Sequence, residues 1–353
     1  MKAILYKKGG RANACVAEVP EPTVGDKDVL IRVYASDICR PADAAHDGGY
    51  SVFGKYPLVP GHEYAGIVEK MGKDVVRFKV GDRVTADANL PCGTCYYCIR
   101  GEVQFCENNR AYGQSLNGGF AQLVAVDESL VYQVPDSVSL RAASMTELVG
   151  CVYNCMERCN FKYGSEVLIL GCGASGNLIA QMVKSSNAAT VVVVDCVPSK
   201  LERIKPVGVK TILADKDDPE VHEAILKEQY PHGFDYIIDT TANPKLISRS
   251  LYLLKRGGTF VNYGFQNNVE VAEQVQIDMK LFVTRQLSYL GSTFQHFKFP
   301  QTLKAIEEKR VDPELAISEI KPLDDFFECM DKVLYDPETI KIVLEPNGSS
   351  EGM

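Results

Sequence analysis

The run Glu166-Val167-Leu168-Ile169-Leu170 passes without a break into Gly171-Cys172-Gly173-Ala174-Ser175-Gly176, so a G-x-G-x-x-G pattern stands where a strand ends and a helix begins. Gly171 allows a tight turn, Gly173 lets backbone approach a phosphate, and Gly176 lets helix and strand pack closely. Leu178, Ile179, Met182 and Val183 fall on one stripe of the following helix. The next apolar run, 191–194, ends in Asp195, and further runs at 211–213, 235–238, 259–261 and 287–290 recur with helical patterns between most of them. Continuous apolar strands alternating with helices predict a doubly wound, Rossmann-type α/β domain whose parallel sheet is buried on both faces.

That junction is a dinucleotide site. Gly171, Gly173, Ala174, Ser175 and Gly176 bring backbone N–H groups and a helix N-terminus to a pyrophosphate. Asp195 is placed to accept hydrogen bonds from the adenosine ribose. Its charge repels a 2′-phosphate, and Cys196 and Val197 offer no guanidinium, so NAD is expected over NADP. Lys200, one helical turn on, reaches the same ribose. The plainer alternative is a glycine-rich turn that binds another nucleotide or none.

The half before Glu147 has another rhythm. Short β-rich segments such as 29–34 and 123–126 alternate with Gly- and Pro-rich turns, which predicts a small β-barrel or sandwich. Within it, Cys92, Cys95, Cys98 and Cys106 make a C-x2-C-x2-C-x7-C run, too tight for a disulfide framework and suited to four thiolates around one structural Zn²⁺. An iron–sulfur cluster is the rival, but its bacterial signature has a shorter last gap and a Pro after the final Cys, where this chain has Glu107. After residue 292 come helical stretches near 301–309 and 324–333 and a closing strand at 341–344, expected to fold back on the first domain. The predicted division is therefore 1–148 with 292–353, carrying the lobe at about 90–108, and 149–291.

A chain of 353 residues with 46% hydrophobic and 24% charged side chains is long enough for two domains. A net charge of −8 argues against nucleic acid as a partner. Lysines at 2, 7 and 8 interrupt the start, and no apolar run approaches membrane-spanning length, so neither a signal peptide nor a membrane is expected. The cysteines outside the lobe lack a pairing rhythm and suit a reducing compartment, the cytoplasm.

A catalytic metal must keep one position open. The donors left over are Cys39 in Ala35-Ser36-Asp37-Ile38-Cys39-Arg40, His62 and Glu63 in Gly61-His62-Glu63, and Glu147 in Thr146-Glu147-Leu148. Taken singly, each has a structural reading: a core thiol, a turn histidine, a surface carboxylate. Together with Gly66, Gly72, Gly81-Asp82-Arg83-Val84, Gly118-Gly119-Phe120-Ala121 and Gly291-Ser292, however, Gly61-His62-Glu63 resembles the G-H-E-x-x-G pattern of the zinc-dependent medium-chain dehydrogenases over nearly the whole chain. Glu147 before Leu-Val is similar to the Glu of the sorbitol and threonine dehydrogenase branch. The resemblance implies a GroES-like barrel, an active site in a cleft between domains, and a catalytic zinc on Cys39, His62 and Glu147 with water or Glu63 in the fourth position. It implies a homo-oligomer, tetramer or dimer, that oxidises a secondary alcohol of a polyol or sugar derivative with NAD.

The segment after Cys39 departs from that family. Where Gly-Thr/Ser-Asp-x-His is usual, this chain has Arg40-Pro41-Ala42-Asp43-Ala44-Ala45-His46, so His46, Asp43 and Tyr50 compete for the outer proton relay. Arg40 meets the cofactor pyrophosphate or, alternatively, selects an anionic substrate. Of the other histidines, His222 and His232 read as solvated, and His296 as bordering the nicotinamide or lying on the surface. Two other functions stay open: a threonine-type amino alcohol dehydrogenase, and a nonenzymatic zinc- and nucleotide-binding redox sensor.

Overall fold

The apolar runs of the second half form one six-stranded sheet. In the computed structural model, which describes residues 1–51, 53–265, 275–295 and 297–353, its strands lie in the order Lys210–Leu213, Thr190–Asp195, Glu166–Leu170, Phe234–Asp239, Leu254–Asn262, Ser288–Gly291. Every neighbouring pair is parallel. Val167 to Leu170 and Val191 to Val194 are all buried, as strands covered on both faces must be. One core gathers Leu168, Val192, Ile237 and Phe260 with helix residues such as Leu226 and Ile247. Reversal of strand order around Glu166–Leu170 puts the glycine turn at the carboxyl edge, where open α/β sheets bind ligands.

The other unit is built on a seven-stranded sheet. Its path runs Ile317–Pro322, Lys341–Glu345, Asp28–Asp37, Tyr64–Met71, Arg83–Ala86, Val131–Gln133, and Leu123–Asp127 also pairs with Asp28–Asp37. The long strand Asp28–Asp37 has register shifts between Leu30 and Ile31 and between Val33 and Ala35 against Tyr64–Met71. Such bulges bend a strand and increase its twist. Val29, Ile31, Val33, Tyr64, Val68, Val84, Val124 and Val126 fill the interior.

The chain divides into Met1–Gly150, Phe294–Lys309 and Ile317–Met353 on one side, and Cys151–Thr293 with Arg310–Ala316 on the other. The tail is thus shared. Asp312 C=O accepts from Gln181 Nε2 at 3.0 Å and Asp312 N–H donates to Gln181 Oε1 at 2.7 Å, which holds the short segment in the parallel-sheet unit. Lys341–Glu345 instead pairs antiparallel with Asp28–Asp37, Val343 opposite Asp37. Helix Phe326–Tyr335 turns Phe326, Met330 and Val333 into a core with Ile4, Tyr6, Phe120 and Ile342. Among the described residues no helix is long and apolar enough to cross a membrane.

Candidate metal centre and nucleotide site

Cys39 leaves the end of strand Asp28–Asp37 and stands at the N-cap of helix Arg40–Gly48, whose first turn contains Pro41. The Cys39 N–H donates to Asp43 Oδ2 at 2.7 Å, so a carboxylate one turn on ties down the helix start. His62 is set by the loop before it. Gly61 has φ +94°, and a Cβ there would meet Phe120 at 2.7 Å, so only glycine suits both the conformation and the space. The N–H groups of Gly119 and Phe120 donate to the carbonyls of Gly61 and Pro60 at 2.8 and 2.9 Å. The Glu63 carbonyl accepts from Asp37 N–H at 2.9 Å and from Ser36 Oγ at 3.0 Å. Those bonds draw Gly61-His62-Glu63 against Cys39.

The ligand atoms of Cys39, His62 and Glu63 all lie within 4.8 Å of one another. His62 is 8% exposed and Glu63 fully buried. Glu147 occupies the first turn of helix Thr146–Cys159, also 8% exposed; it acts on His62 electrostatically but is not part of that tight group. Burial works against a charged His62 ring, yet the Cys39 sulfur and the Glu147 and Asp43 carboxylates outweigh it and hold the pKa well above the usual value. Burial pushes the Cys39 thiol up. The His62 Nδ1 and Glu63 Oε1 have no hydrogen-bond partner, whereas Glu63 Oε2 pairs with Lys341 Nζ at 2.6 Å. A sulfur, an imidazole nitrogen and a carboxylate converging under burial form a donor set that suits zinc.

The lobe is a second candidate group of metal donors. Cys92, Cys95, Cys98 and Cys106 bring their sulfurs within 4.8 Å of one another, with Cys92 and Cys98 sulfurs 4.0 Å apart and Cys95 and Cys106 sulfurs 3.9 Å apart. Zn–S bonds of about 2.3 Å in a tetrahedron give sulfur separations of about 3.8 Å, so four thiolates around one ion fit. The Thr94 N–H and hydroxyl and the Cys95 N–H hold the Cys92 thiol down to about 5, while burial and neighbouring thiols push Cys98 up to about 12.

In the parallel-sheet unit Gly171 has φ +93°, and a Cβ on Gly176 would stand 2.1 Å from the Gly171 carbonyl oxygen. Nothing lies within 4 Å of a Cβ built on Gly173. Gly173 is the N-cap of helix Ala174–Lys184 without a side-chain cap, leaving backbone N–H groups of that turn for an anion. Both oxygens of Asp195 are fixed by backbone: Oδ2 accepts from Cys172 N–H at 2.6 Å and Oδ1 from Val197 N–H at 2.8 Å. These residues fit a dinucleotide.

Residues 25–136 match the alcohol dehydrogenase GroES-like domain family, and residues 174–308 the zinc-binding dehydrogenase family. D-altritol 5-dehydrogenase of Agrobacterium fabrum is 32% identical over 348 residues, covering 97% of this chain and 98% of its own length. The chain belongs to the zinc-dependent medium-chain dehydrogenases. D-arabinitol dehydrogenase 1 of Uromyces fabae is 29% identical, covering 98% of this chain and 97% of its own. A zinc-binding dehydrogenase from Sinorhizobium meliloti 1021, crystallised with NADP, superposes with a TM-score of 0.88 at 27% identity, covering 98% of this chain and 99% of that one. The two folds of this zinc dehydrogenase are thus a GroES-like unit and a Rossmann-type unit.

Several expected site residues stand differently. His46 is fully buried; its Nδ1 lies 2.9 Å from the Tyr56 hydroxyl and its Nε2 3.1 Å from Gln114 Oε1. An amide oxygen only accepts, so Nε2 carries the hydrogen and Nδ1 accepts from Tyr56. Both nitrogens are engaged by protein groups, which leaves neither turned to a substrate proton. Asp43 is closer to the chemistry through Cys39, and its Oδ1 has no partner. Tyr50 is 39% exposed. Arg40 is exposed and donates to Leu334 C=O at 3.4 Å. His222, expected in solvent, is only 2% exposed, because it shares the inward face of helix Pro219–Gln229 with Glu223 and Leu226. His232 is exposed, and His296 lies outside the described residues.

Two buried charged groups beside Cys39 and His62 of this zinc dehydrogenase carry no clear mark in the sequence. Lys341, 3% exposed, comes from the closing strand, and Asp37, fully buried, precedes Cys39. For Lys341 the one local hint is a charge between Ile340 and Ile342, which names no partner; Asp37, after Ser36, has none.

Proposed function

We propose that this enzyme oxidises a secondary alcohol of a polyol or related sugar derivative to the carbonyl compound, with NAD taking the hydride and one proton released. The observation that carries this is the buried group Cys39, His62 and Glu63 with an unpartnered His62 Nδ1, in a chain whose relatives are named for D-altritol and D-arabinitol.

In this reading Cys39, His62 and Glu147 hold the catalytic zinc, with Glu63 or water as fourth ligand, and Cys92, Cys95, Cys98 and Cys106 hold a structural one. Zinc supplies a Lewis acid, and such an ion lowers the pKa of bound water from about 15.7 to about 7 in favourable sites. The chain provides the rest. Cys39 and the carboxylate bring negative charge that stabilises a cation; Asp43 fixes Cys39 through its backbone; burial keeps bulk water from the donors. A carboxylate in place of a second thiolate makes the donor set harder, which suits a substrate offering two adjacent oxygens.

Gly171, Gly173 and Gly176 with the N-terminus of helix Ala174–Lys184 receive the pyrophosphate, and Asp195, with Lys200 beyond it, receives the adenosine ribose. The NADP of the Sinorhizobium meliloti protein belongs to that protein; here the preference for NAD rests on the fixed carboxylate of Asp195 and the absence of Arg at 196 and 197. Free thiols outside the lobe support a cytoplasmic enzyme. Exposed Tyr96, Ile99 and Phe105 on the lobe are consistent with a homo-oligomer.

The test is a panel of polyols, sugar acids, phosphorylated sugars and amino alcohols with NAD and NADP, read by absorbance of the reduced cofactor alongside zinc analysis. Turnover of polyols with NAD and two zinc ions per chain is expected. Glu147→Ala should abolish turnover while NAD still binds. Amino alcohols as the only substrates would favour a threonine-type enzyme, and one zinc with no turnover at all the redox-sensor reading.

A further inference from the structure

Three charged side chains are shut away from solvent beside Cys39 and His62: Asp37 and Glu63 at 0% exposure and Lys341 at 3%. Two carboxylates therefore face one ammonium. Strand pairing forces the arrangement. Val343 stands opposite Asp37 in the antiparallel register, so Lys341, two residues away on the same face, is a diagonal neighbour within reach of a long side chain. The Asp37 N–H donates to the Glu63 carbonyl at 2.9 Å, which brings the second carboxylate alongside.

The ammonium is unequally shared. Lys341 Nζ lies 2.6 Å from Glu63 Oε2, whereas Asp37 feels the lysine only at longer range and has no hydrogen-bonding neighbour but the Ser144 hydroxyl, with neither oxygen in a well-formed hydrogen bond. A buried carboxylate without a charged partner at close range is costly. The lysine is a point charge on a flexible stem, so it can satisfy either carboxylate by a change of rotamer. With Lys341 on Glu63, one oxygen of a candidate metal ligand is engaged; with Lys341 on Asp37, both are released.

We propose that Asp37 is a positioning residue that competes with Glu63 for Lys341 and so frees Glu63 to meet the catalytic metal. This rests on the zinc dehydrogenase reading above. Asp37 touches neither substrate nor cofactor; it acts through the lysine.

The test exchanges the catalytic zinc for Co²⁺, leaves zinc in the cysteine lobe, and records the visible d–d bands, which report the ligand set. The holoenzyme is compared with Asp37→Asn, Glu63→Gln and the double variant. Asp37→Asn is expected to shift the bands in the same direction as Glu63→Gln, and the double variant to add nothing to Glu63→Gln, the non-additivity of groups acting as one unit. Lys341→Arg, whose planar fork can hold both carboxylates at once, is expected to move the bands as Asp37→Asn does and serves if Asp37→Asn does not fold. Bands unchanged in Asp37→Asn or, where that protein does not fold, in Lys341→Arg, or shifted equally with and without Glu63, would overturn the proposal, as would a Glu63→Gln spectrum identical to the parent. A parent that yields no cobalt bands at all would instead sink the zinc reading itself.

Discussion

Lys341 Nζ stands 2.6 Å from Glu63 Oε2, with 4% and 0% of the two side chains exposed. Removing one member of such a pair leaves the other as an uncompensated buried charge, which costs about 3–5 kcal/mol. Lys341→Met is therefore expected to lower the urea midpoint by a corresponding amount, and Lys341→Met with Glu63→Gln to recover most of it. Equal stability in Lys341→Met and the parent would mean that the ion pair is offset by another cation.

The cysteine lobe has almost no core of its own. Its helix Tyr96–Ile99 and 3-10 turn Val103–Phe105 bury no residue, and its apolar contacts are ring pairs such as Tyr97 with Phe105 at 5.7 Å between centroids. In the two-zinc reading proposed above, metal binding would supply the folding energy of the segment. Cys98→Ala is expected to lower zinc content by one ion per chain and to make the lobe sensitive to protease, checked by metal analysis and limited proteolysis. A variant that keeps its full zinc content would count against four-thiolate binding.

Local pattern explains what could be read in advance. The strand and helix flanking Gly171 to Gly176 announce themselves because apolar period and glycine spacing are both local, and the four lobe cysteines because their spacing alone brings the sulfurs together. Asp37 and Lys341 could not be read this way. Their burial depends on pairing between strands Asp28–Asp37 and Lys341–Glu345, some three hundred residues apart in the chain, and an apolar run such as Ile342-Val343-Leu344 does not say what faces the lysine before it. His222 departs from the solvated position its sequence predicts for a related reason. Its neighbours Glu220 and Glu223 look solvated in sequence, but Glu223 forms an ion pair with Arg249 of another helix, and that contact turns this face inward. His46 lies on the helix that Cys39 caps, but Tyr56 and Gln114, which occupy its nitrogens, come from later loops.

Asp195 offers a test of coenzyme choice. Its oxygens accept from Cys172 and Val197 N–H groups at 2.6 and 2.8 Å, which fixes the carboxylate at the end of strand Thr190–Asp195. A hydrogen bond to a charged group contributes about 1.5–3 kcal/mol, so Asp195→Ser is expected to reduce kcat/KM for NAD by about 10–100-fold and to lower the NAD to NADP ratio of kcat/KM. Initial rates with both cofactors decide it; an unchanged ratio would assign the carboxylate to loop structure alone.

His222 gives the acid limb of stability a specific source. It is 2% exposed, and its Nδ1 has no hydrogen-bond partner. Burial holds its pKa below the ordinary 6.5, and Arg249 acts in the same direction, against Glu223, Asp215 and Asp218, which favour the charged ring. The unfolded chain takes up this proton near about 6.5, while the folded protein resists until a lower pH. In that interval the unfolded state binds more protons, so stability rises with pH. The contribution is complete above the unfolded value and is lost as pH falls from there through the folded one. His46, also held down by burial, adds to the same limb, so the parent and His222→Gln must be compared as a difference. Urea denaturation at about pH 7.5 and about pH 5.5, on either side of the free imidazole value, is expected to show a smaller loss in His222→Gln than in the parent. Equal losses would mean that the folded protein already accommodates a charged His222, with Glu223 rather than burial governing the ring.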